Sequence, residues 1–241
     1  RRVTPVFDFE GYGPSIFGGA IITLELAVFS LVLAVFLGLM GAWGKMSRNR
    51  LAKGVATFYT TLIRGVPDLV WMMLLFFGGQ IALNSILDYL NYDLGFNLPY
   101  PQFNEFTAGV LTIGFIFGAY MSETFRGAFM AVDNGQIEAG KAYGMSGWKV
   151  FSRIMFPQMM RHAIPGIANN WQVLLKTTAL VSVIGLADMV RLASEAAKST
   201  GSPFKFLIPV AIVYLAIAAL SDIIFKLLNN KYSAGVVKGG S

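Results

Sequence analysis

Five apolar stretches, each long enough to cross a bilayer, constrain this chain more than any other feature: Ile16 to Trp43, Val55 to Leu87, Phe106 to Met130, Ile164 to Leu186 and Phe206 to Leu228. A hydrocarbon core of about 30 Å takes about 20 helical residues to span. Inside it, every backbone N–H and C=O must be bonded within its own helix. With 55% hydrophobic and only 13% charged residues, the 241-residue chain is too apolar for a soluble core of this size. The expectation is an all-α, polytopic membrane bundle of about five transmembrane helices, forming one domain over residues 1–241. The first stretch carries no small-residue cleavage site and reads as a retained span, not a secretory leader. The second would reach about 50 Å as one straight helix, so it must kink, tilt or protrude, and Gly65 with Pro67 mark the expected break.

Loop charges set the expected orientation. Lys45, Arg48, Arg50 and Lys53 crowd the first loop without an acid, whereas Asp88, Asp93 and Glu105 occupy the second without a base. The positive-inside rule puts the first loop in the cytoplasm. Alternation then places the N-terminus in the periplasm. It also places Lys141, Lys149, Arg153 and Arg161 in the cytoplasm, with the tail that carries Lys226, Lys231 and Lys238. The last outer loop fits least well, because Arg191, Lys198 and Lys205 face only Asp188 and Glu195 there. Topology thus accounts for most of the net charge of +6, which gives no reason to expect nucleic acid.

Catalytic chemistry finds no residues to carry it. The chain has no cysteine and one histidine, His162, which argues against thiolate, zinc and histidine-base sites. A phosphate cradle needs G-x-x-x-x-G-K-[ST] after a strand. The nearest stretch, "GLMGAWGKMS", has Leu39 and Met46 where glycine and Ser/Thr belong and ends an apolar helix. Any ATP hydrolysis must therefore occur on another polypeptide.

Residues 133–160 are a cytoplasmic segment of different character. Helix formers around Ile137 to Tyr143 and Trp148 to Met155, with Gly144 and Gly147 between them, predict two short helices and a turn. Trp148, Val150, Phe151, Ile154 and Met155 are too many apolar groups for a bare surface. Part of this hairpin should be buried, either on its own bundle or against a peripheral protein.

The spacing of Glu138, Ala139, Gly140, Gly144, Ile154, Phe156 and Pro157 resembles the "EAA" loop of importer-type ABC permeases, E-A-A, three residues, G, nine residues, I-x-L-P. Gly140 for the second alanine and Phe156 for leucine are the departures. The stretches "TLIRGVPDLV", "ETFRGAF", "NNWQVLLKTTALVSVIGL" and the terminal "YSAGV" follow in the order of the permeases of polar amino-acid importers. The likeness covers Gly18 to Val236 and is nearest to those for histidine, lysine, arginine and ornithine. It implies the type I importer permease fold in the bacterial inner membrane. It also implies a second, related permease chain, two cytoplasmic ATP-binding subunits that hold ATP and Mg, and a periplasmic substrate-binding protein. In it, Glu138, Ala139, Gly140, Gly144, Ile154 and Pro157 belong to a coupling helix seated on the ATPase, and this chain needs no cofactor of its own.

Ionisable groups inside the spans are the remaining functional candidates, since each costs at least ~2.5 kcal/mol at the bilayer centre. Glu25 lies about 13 Å in from the outer end of the first span. It either meets the side chain of a cationic substrate or is buried against a neighbouring helix. Arg64 and Asp68 flank the expected break, where freed backbone groups contact substrate or an internal ion pair fixes the kink. Glu123 and Arg126, three apart, should form a structural pair. Lys176 lies about 18 Å along the fourth span from Ile164, among Asn169, Asn170, Gln172, Thr177 and Thr178. Such residues line a polar path or bond helix to helix. Asp188, at the outer end, meets an arriving cation or the binding protein, or caps a helix beside Arg191. Gly114 and Gly118 permit close helix contact. The competing functional classes are an ion-coupled secondary transporter using Glu25, Asp68 and Lys176, and a structural membrane subunit.

Overall fold

The computed structural model describes residues 9–101 and 104–233, all of them in helices or short connections. Ala234 to Val236, the end of "YSAGV", and Lys238 lie outside the described residues. Eight helices follow in order: α1 Gly13–Met46, α2 Arg50–Gly65, α3 Asp68–Asp93, α4 Glu105–Met130, α5 Asn134–Ala142, α6 Gly147–Ile184, α7 Met189–Thr200 and α8 Pro203–Ser233. Four of them, α1, α3, α4 and α8, are long and apolar enough to cross a membrane by themselves. The number rises to five if α6 and α7, bent from one another by 54°, together form one broken span. The polar Asn169, Asn170, Gln172 and Lys176 dilute the apolar character of α6.

The second apolar stretch breaks where proline chemistry requires. Pro67 pushes Val66 into an extended conformation (φ −123°, ψ 142°), which ends α2 at Gly65 and lets α3 start at Asp68. The stretch expected to start at Val55 is divided between two helices, which part at the expected break of Gly65 and Pro67. α2 is a separate amphipathic helix, and the crossing is α3. On α2, Leu51, Val55, Phe58 and Leu62 are exposed on one stripe, while Ala56, Thr60 and Ile63 are buried against the bundle. Asn49 caps it through the N–H groups of Leu51 (2.9 Å) and Ala52 (3.5 Å).

The centre of the bundle is α4. In its most apolar window 61% of residues are buried, against 6% in α3 and in α8, which form the periphery. Its main partner is α1, and the contact depends on small residues. A Cβ on Gly114 would lie 2.6 Å from Leu33, and one on Gly118 would lie 2.8 Å from Leu37. In the other direction, Gly38 abuts Met121 and Gly41 abuts Ser122 so closely that a Cβ at either would overlap its neighbour. The small-residue pair in α4 thus has a matching pair on α1. At the outer end of α1, Gly19 meets the backbone of Met189 in α7.

A second, smaller core gathers Met189, Ala193, Ala196 and Ala197 of α7 around Phe206, which is fully buried beside Phe9 and Tyr12. The stretch expected as the last outer loop is therefore mostly helix. Asp188 and the left-handed Gly201 (φ 67°) cap its two ends, and Lys205 is paired with Glu10 at 2.7 Å.

Gly41→Val should lower the thermal unfolding midpoint of the detergent-solubilised protein, because overpacking such a contact costs about 1–3 kcal/mol. Gly54→Ala in α2, where a Cβ meets nothing within 4 Å, should leave the midpoint unchanged or raise it, since alanine is favoured in helices by roughly 0.5–1 kcal/mol.

Candidate functional site

The hairpin at residues 133–160 is built from capped ends. Asp133 accepts from the N–H of Gly135 (2.6 Å) and opens α5. Gly144 closes it with φ 76°, a left-handed conformation that glycine adopts without strain. The N–H of Gly144 bonds to Lys141 (2.9 Å) and that of Met145 to Gly140 (3.1 Å), satisfying the last carbonyls of the helix. Ser146 then opens α6. Nothing crowds Gly144, so its role inside this chain is the turn.

The second helix of the hairpin is not the separate short helix expected from Trp148 to Met155. It continues through Pro157 into the bundle as far as Ile184. A wider π turn at Phe151–Met155 precedes Pro157, which has no N–H to give. A single helix therefore joins the loop to the bundle.

Packing inside the hairpin explains one departure from the family pattern. Gly140 is buried, and a Cβ there would lie 2.6 Å from Ile154 and 3.4 Å from Val150. Glycine at 140 lets α5 rest directly on α6, with Gln158 donating to Gln136 at 2.6 Å across the same contact. A cleft of about 410 Å³ opens beside it, lined by Ala139, Tyr143, Met145 and Arg153 among others. Val150 is buried and Ile154 and Met155 partly so, whereas Tyr143 (90% exposed) and Trp148 (73%) present apolar area outward, and Glu138 and Ala139 are exposed too. That is much aromatic surface for water to cover.

The charges of the spans fall into two groups. Glu123 and Arg126 pair as expected, at 2.9 Å. Glu123 also holds Lys45, at the end of α1, and the same ammonium donates to Thr60 of α2 at 2.8 Å. The sequence pointed to Lys45 only as a topological charge, but it ties three helices together. Arg64 and Asp68 form no direct ion pair. Tyr120 of α4 sits between them, its ring 5.7 Å from the guanidinium and its hydroxyl donating to Asp68 at 3.4 Å. Trp71 adds a bond across the break to the carbonyl of Ile63 (3.2 Å).

Asn170 is buried and donates to Thr124 of α4 at 3.0 Å, and Gln172 donates to the carbonyl of Ala218 in α8 at 3.1 Å. Asp188 is fully buried and accepts from the backbone of Arg191 (3.0 Å) and Val190 (3.3 Å). The Arg191 side chain turns to Glu195 at 2.9 Å instead. Glu25 and Lys176 differ from all of these. Each is exposed on the surface of a spanning helix and makes no hydrogen bond or ion pair among the described residues.

Helices long and apolar enough to cross a membrane, one of them joined to a capped hairpin, define a membrane-embedded helical protein. The chain belongs to the family of binding-protein-dependent transport system inner membrane components, which it matches over residues 14–234. It is 51% identical to the histidine/lysine/arginine/ornithine transport system permease protein of Escherichia coli K12, over 94% of this chain and 96% of that one. It is 36% identical to the arginine ABC transporter permease protein of Haemophilus influenzae, over 93% of this chain and 96% of that one. A crystal structure of an amino acid ABC transporter with histidines contains a chain of the same fold. The TM-score is 0.75 at 31% identity, and the match covers 95% of this chain and 99% of that one. The chain is thus one subunit of a larger transporter, and ATP is hydrolysed on other subunits.

Lys45→Met leaves Glu123 with Arg126 as its one cationic partner and should cost about 1.5–3 kcal/mol, the worth of a hydrogen bond to a charged group. The double variant Lys45→Met/Glu123→Gln should recover part of that loss in thermal unfolding, because no half-buried carboxylate is then left short of a partner.

Proposed function

We propose that this chain is the permease subunit of an ABC importer that carries basic amino acids, of the arginine, lysine, histidine and ornithine class, across the bacterial inner membrane. The observation that carries the reading is the unbroken helix α6. It begins in the hairpin and runs into the bundle, so a push on the hairpin reaches the membrane without crossing a flexible joint. The substrate class follows from the relatives, whose printed names are those of permeases for histidine, lysine, arginine and ornithine and for arginine.

In this reading Glu138, Ala139 and Gly144, with the exposed Tyr143 and Trp148, seat on a cytoplasmic ATP-binding subunit, while Gly140, Ile154 and Pro157 hold the hairpin's shape. The complex has two such ATPase subunits, which hold ATP and Mg, a second related permease chain and a periplasmic binding protein. The N-terminus is periplasmic and the C-terminus cytoplasmic. Closure of the ATPases drives the hairpins, the permease pair opens outward to take the amino acid, and hydrolysis resets it. The amino acid biases that cycle only by binding the two states unequally.

Glu25 is the proposed contact for the substrate's cationic side chain. A carboxylate left without a partner on a spanning helix is stabilised by a water-lined path, and its charge is complementary to the substrate. Lys176 lines the same route or the facing permease. Arg64, Asp68, Asn170 and Asp188 are engaged within the chain, so their part in transport is to hold the kink, the contact between α6 and α4, and the start of α7.

The test is ATP hydrolysis by the reconstituted complex with its binding protein and arginine, lysine, histidine or glutamine. Basic ligands should stimulate wild type, and Glu25→Gln should lose that response selectively. A mutant that responds to every ligand like wild type would remove Glu25 from the pathway. Glu138→Lys should lower stimulated hydrolysis on the order of ten-fold, the effect of about 1.4 kcal/mol of lost contact, with ligand binding to the isolated binding protein unchanged. Undiminished stimulation in that variant would overturn the role assigned to the hairpin.

A further inference from the structure

A groove of about 640 Å³ runs between the end of α1 and the side of α2, with Phe115 of α4 in its lining. Its walls are Leu37, Met40 and Trp43 from α1 and Leu51 and Val55 from α2. Leu37 and Phe115 also line a neighbouring cavity of about 440 Å³ between α1, α3 and α4. The opposite mouth is polar, with Ser47 and Asn49 on its rim.

The chain around this rim is cationic. Arg48 lies between those two residues, and Arg50 and Lys53 occupy the first turn of α2. All three are exposed, and none makes an ion pair among the described residues. Lys45, the remaining cation of this loop, is committed to Glu123. No acid lies between Lys45 and Arg64 to neutralise the group.

We propose that this groove is a binding site for one anionic phospholipid, with its acyl chain against Leu37, Met40, Val55 and Phe115 and its phosphate among Arg48, Arg50 and Lys53. The cleft changes from apolar to cationic along its length, which matches the order of a lipid's own parts. α2 has the geometry of a helix lying in the interface, with the stripe of Leu51, Val55, Phe58 and Leu62 exposed and Arg50 and Lys53 on the other side. Trp43, 79% exposed at the end of α1, has the character of an interfacial anchor. Long basic side chains reach a phosphate from either side of a helix by laying their stems along apolar surface. A zwitterionic lipid would fill the same groove but place its own cation beside three others. Charge therefore selects the anionic class.

Trp43 supplies the test. The assembled transporter is placed in nanodiscs containing phosphatidylglycerol or phosphatidylcholine with brominated acyl chains, and Trp43→Phe isolates the emission of Trp43 from that of the other tryptophans. Phosphatidylglycerol should quench Trp43 at lower mole fraction than phosphatidylcholine. Arg48→Gln or Lys53→Gln should each reduce that preference about five-fold at low ionic strength. Each single variant keeps the other loop cations, so topology and folding are retained. Equal quenching by both lipids overturns the proposal in favour of ordinary bulk lipid. Absence of quenching by either overturns it in favour of a protein surface covering the groove. Loss of the preference on adding inorganic phosphate overturns it in favour of a soluble-anion site. The readout needs no transport, so it stands or falls independently of the substrate assignment.

Discussion

The rest of the structure depends on how closely α1 and α4 approach. Lipid is as apolar as a leucine side chain, so two spanning helices gain little from hiding hydrophobic surface and must gain from packing instead. Gly38 and Gly41 on one helix and Gly114 and Gly118 on the other remove the side chains that would hold the backbones apart. Leu33, Leu37 and Met121 fill the space so gained. This approach brings the end of α1 within reach of Glu123, so that Lys45 and Arg126 share one carboxylate. It also lets Tyr59 of α2 bond to the carbonyl of Phe115 at 2.5 Å.

Charge is distributed according to whether this chain can satisfy it. Where partners lie within the bundle, ionisable groups hold helices together: Lys45 with Glu123, Arg64 and Asp68 through Tyr120, and Asp188 with the start of α7. Glu25 and Lys176 have no such partner here, and both lie on the outer surface of spanning helices. The first group ties neighbouring helices to one another, and the second leaves polar positions open on the surface of the bundle. The apolar faces of α3 and α8, almost wholly unburied, likewise await lipid or another subunit.

Much of this was legible in the residues. The apolar runs, the break at Gly65 and Pro67, the Glu123–Arg126 pair and the spacing of the hairpin all follow from local rules of length, proline geometry and helical period. Other features were hidden because their cause is not local. The stretch 189–200 looked like a charged loop, since its buried face consists of Met189 and small alanines that declare themselves only against Phe206. In the sequence the hairpin's second helix reads as ending before Pro157, because nothing there announces the π turn that carries the helix past it.

By itself the sequence determined that the chain must be a helical membrane protein and that its helices part at Pro67 and turn at Gly144. Bilayer thickness, proline, glycine and capping residues act within a few positions of themselves. The tertiary structure decided which charges are spent and which remain free. A carboxylate's role depends on what lies within hydrogen-bond distance, and Glu25 and Glu123 look alike until α1 and α4 come together. Gly140 illustrates the same division. In the sequence it is a departure from a pattern, and in the fold it is the point where α5 touches Ile154, which no residue with a Cβ could do without displacing it.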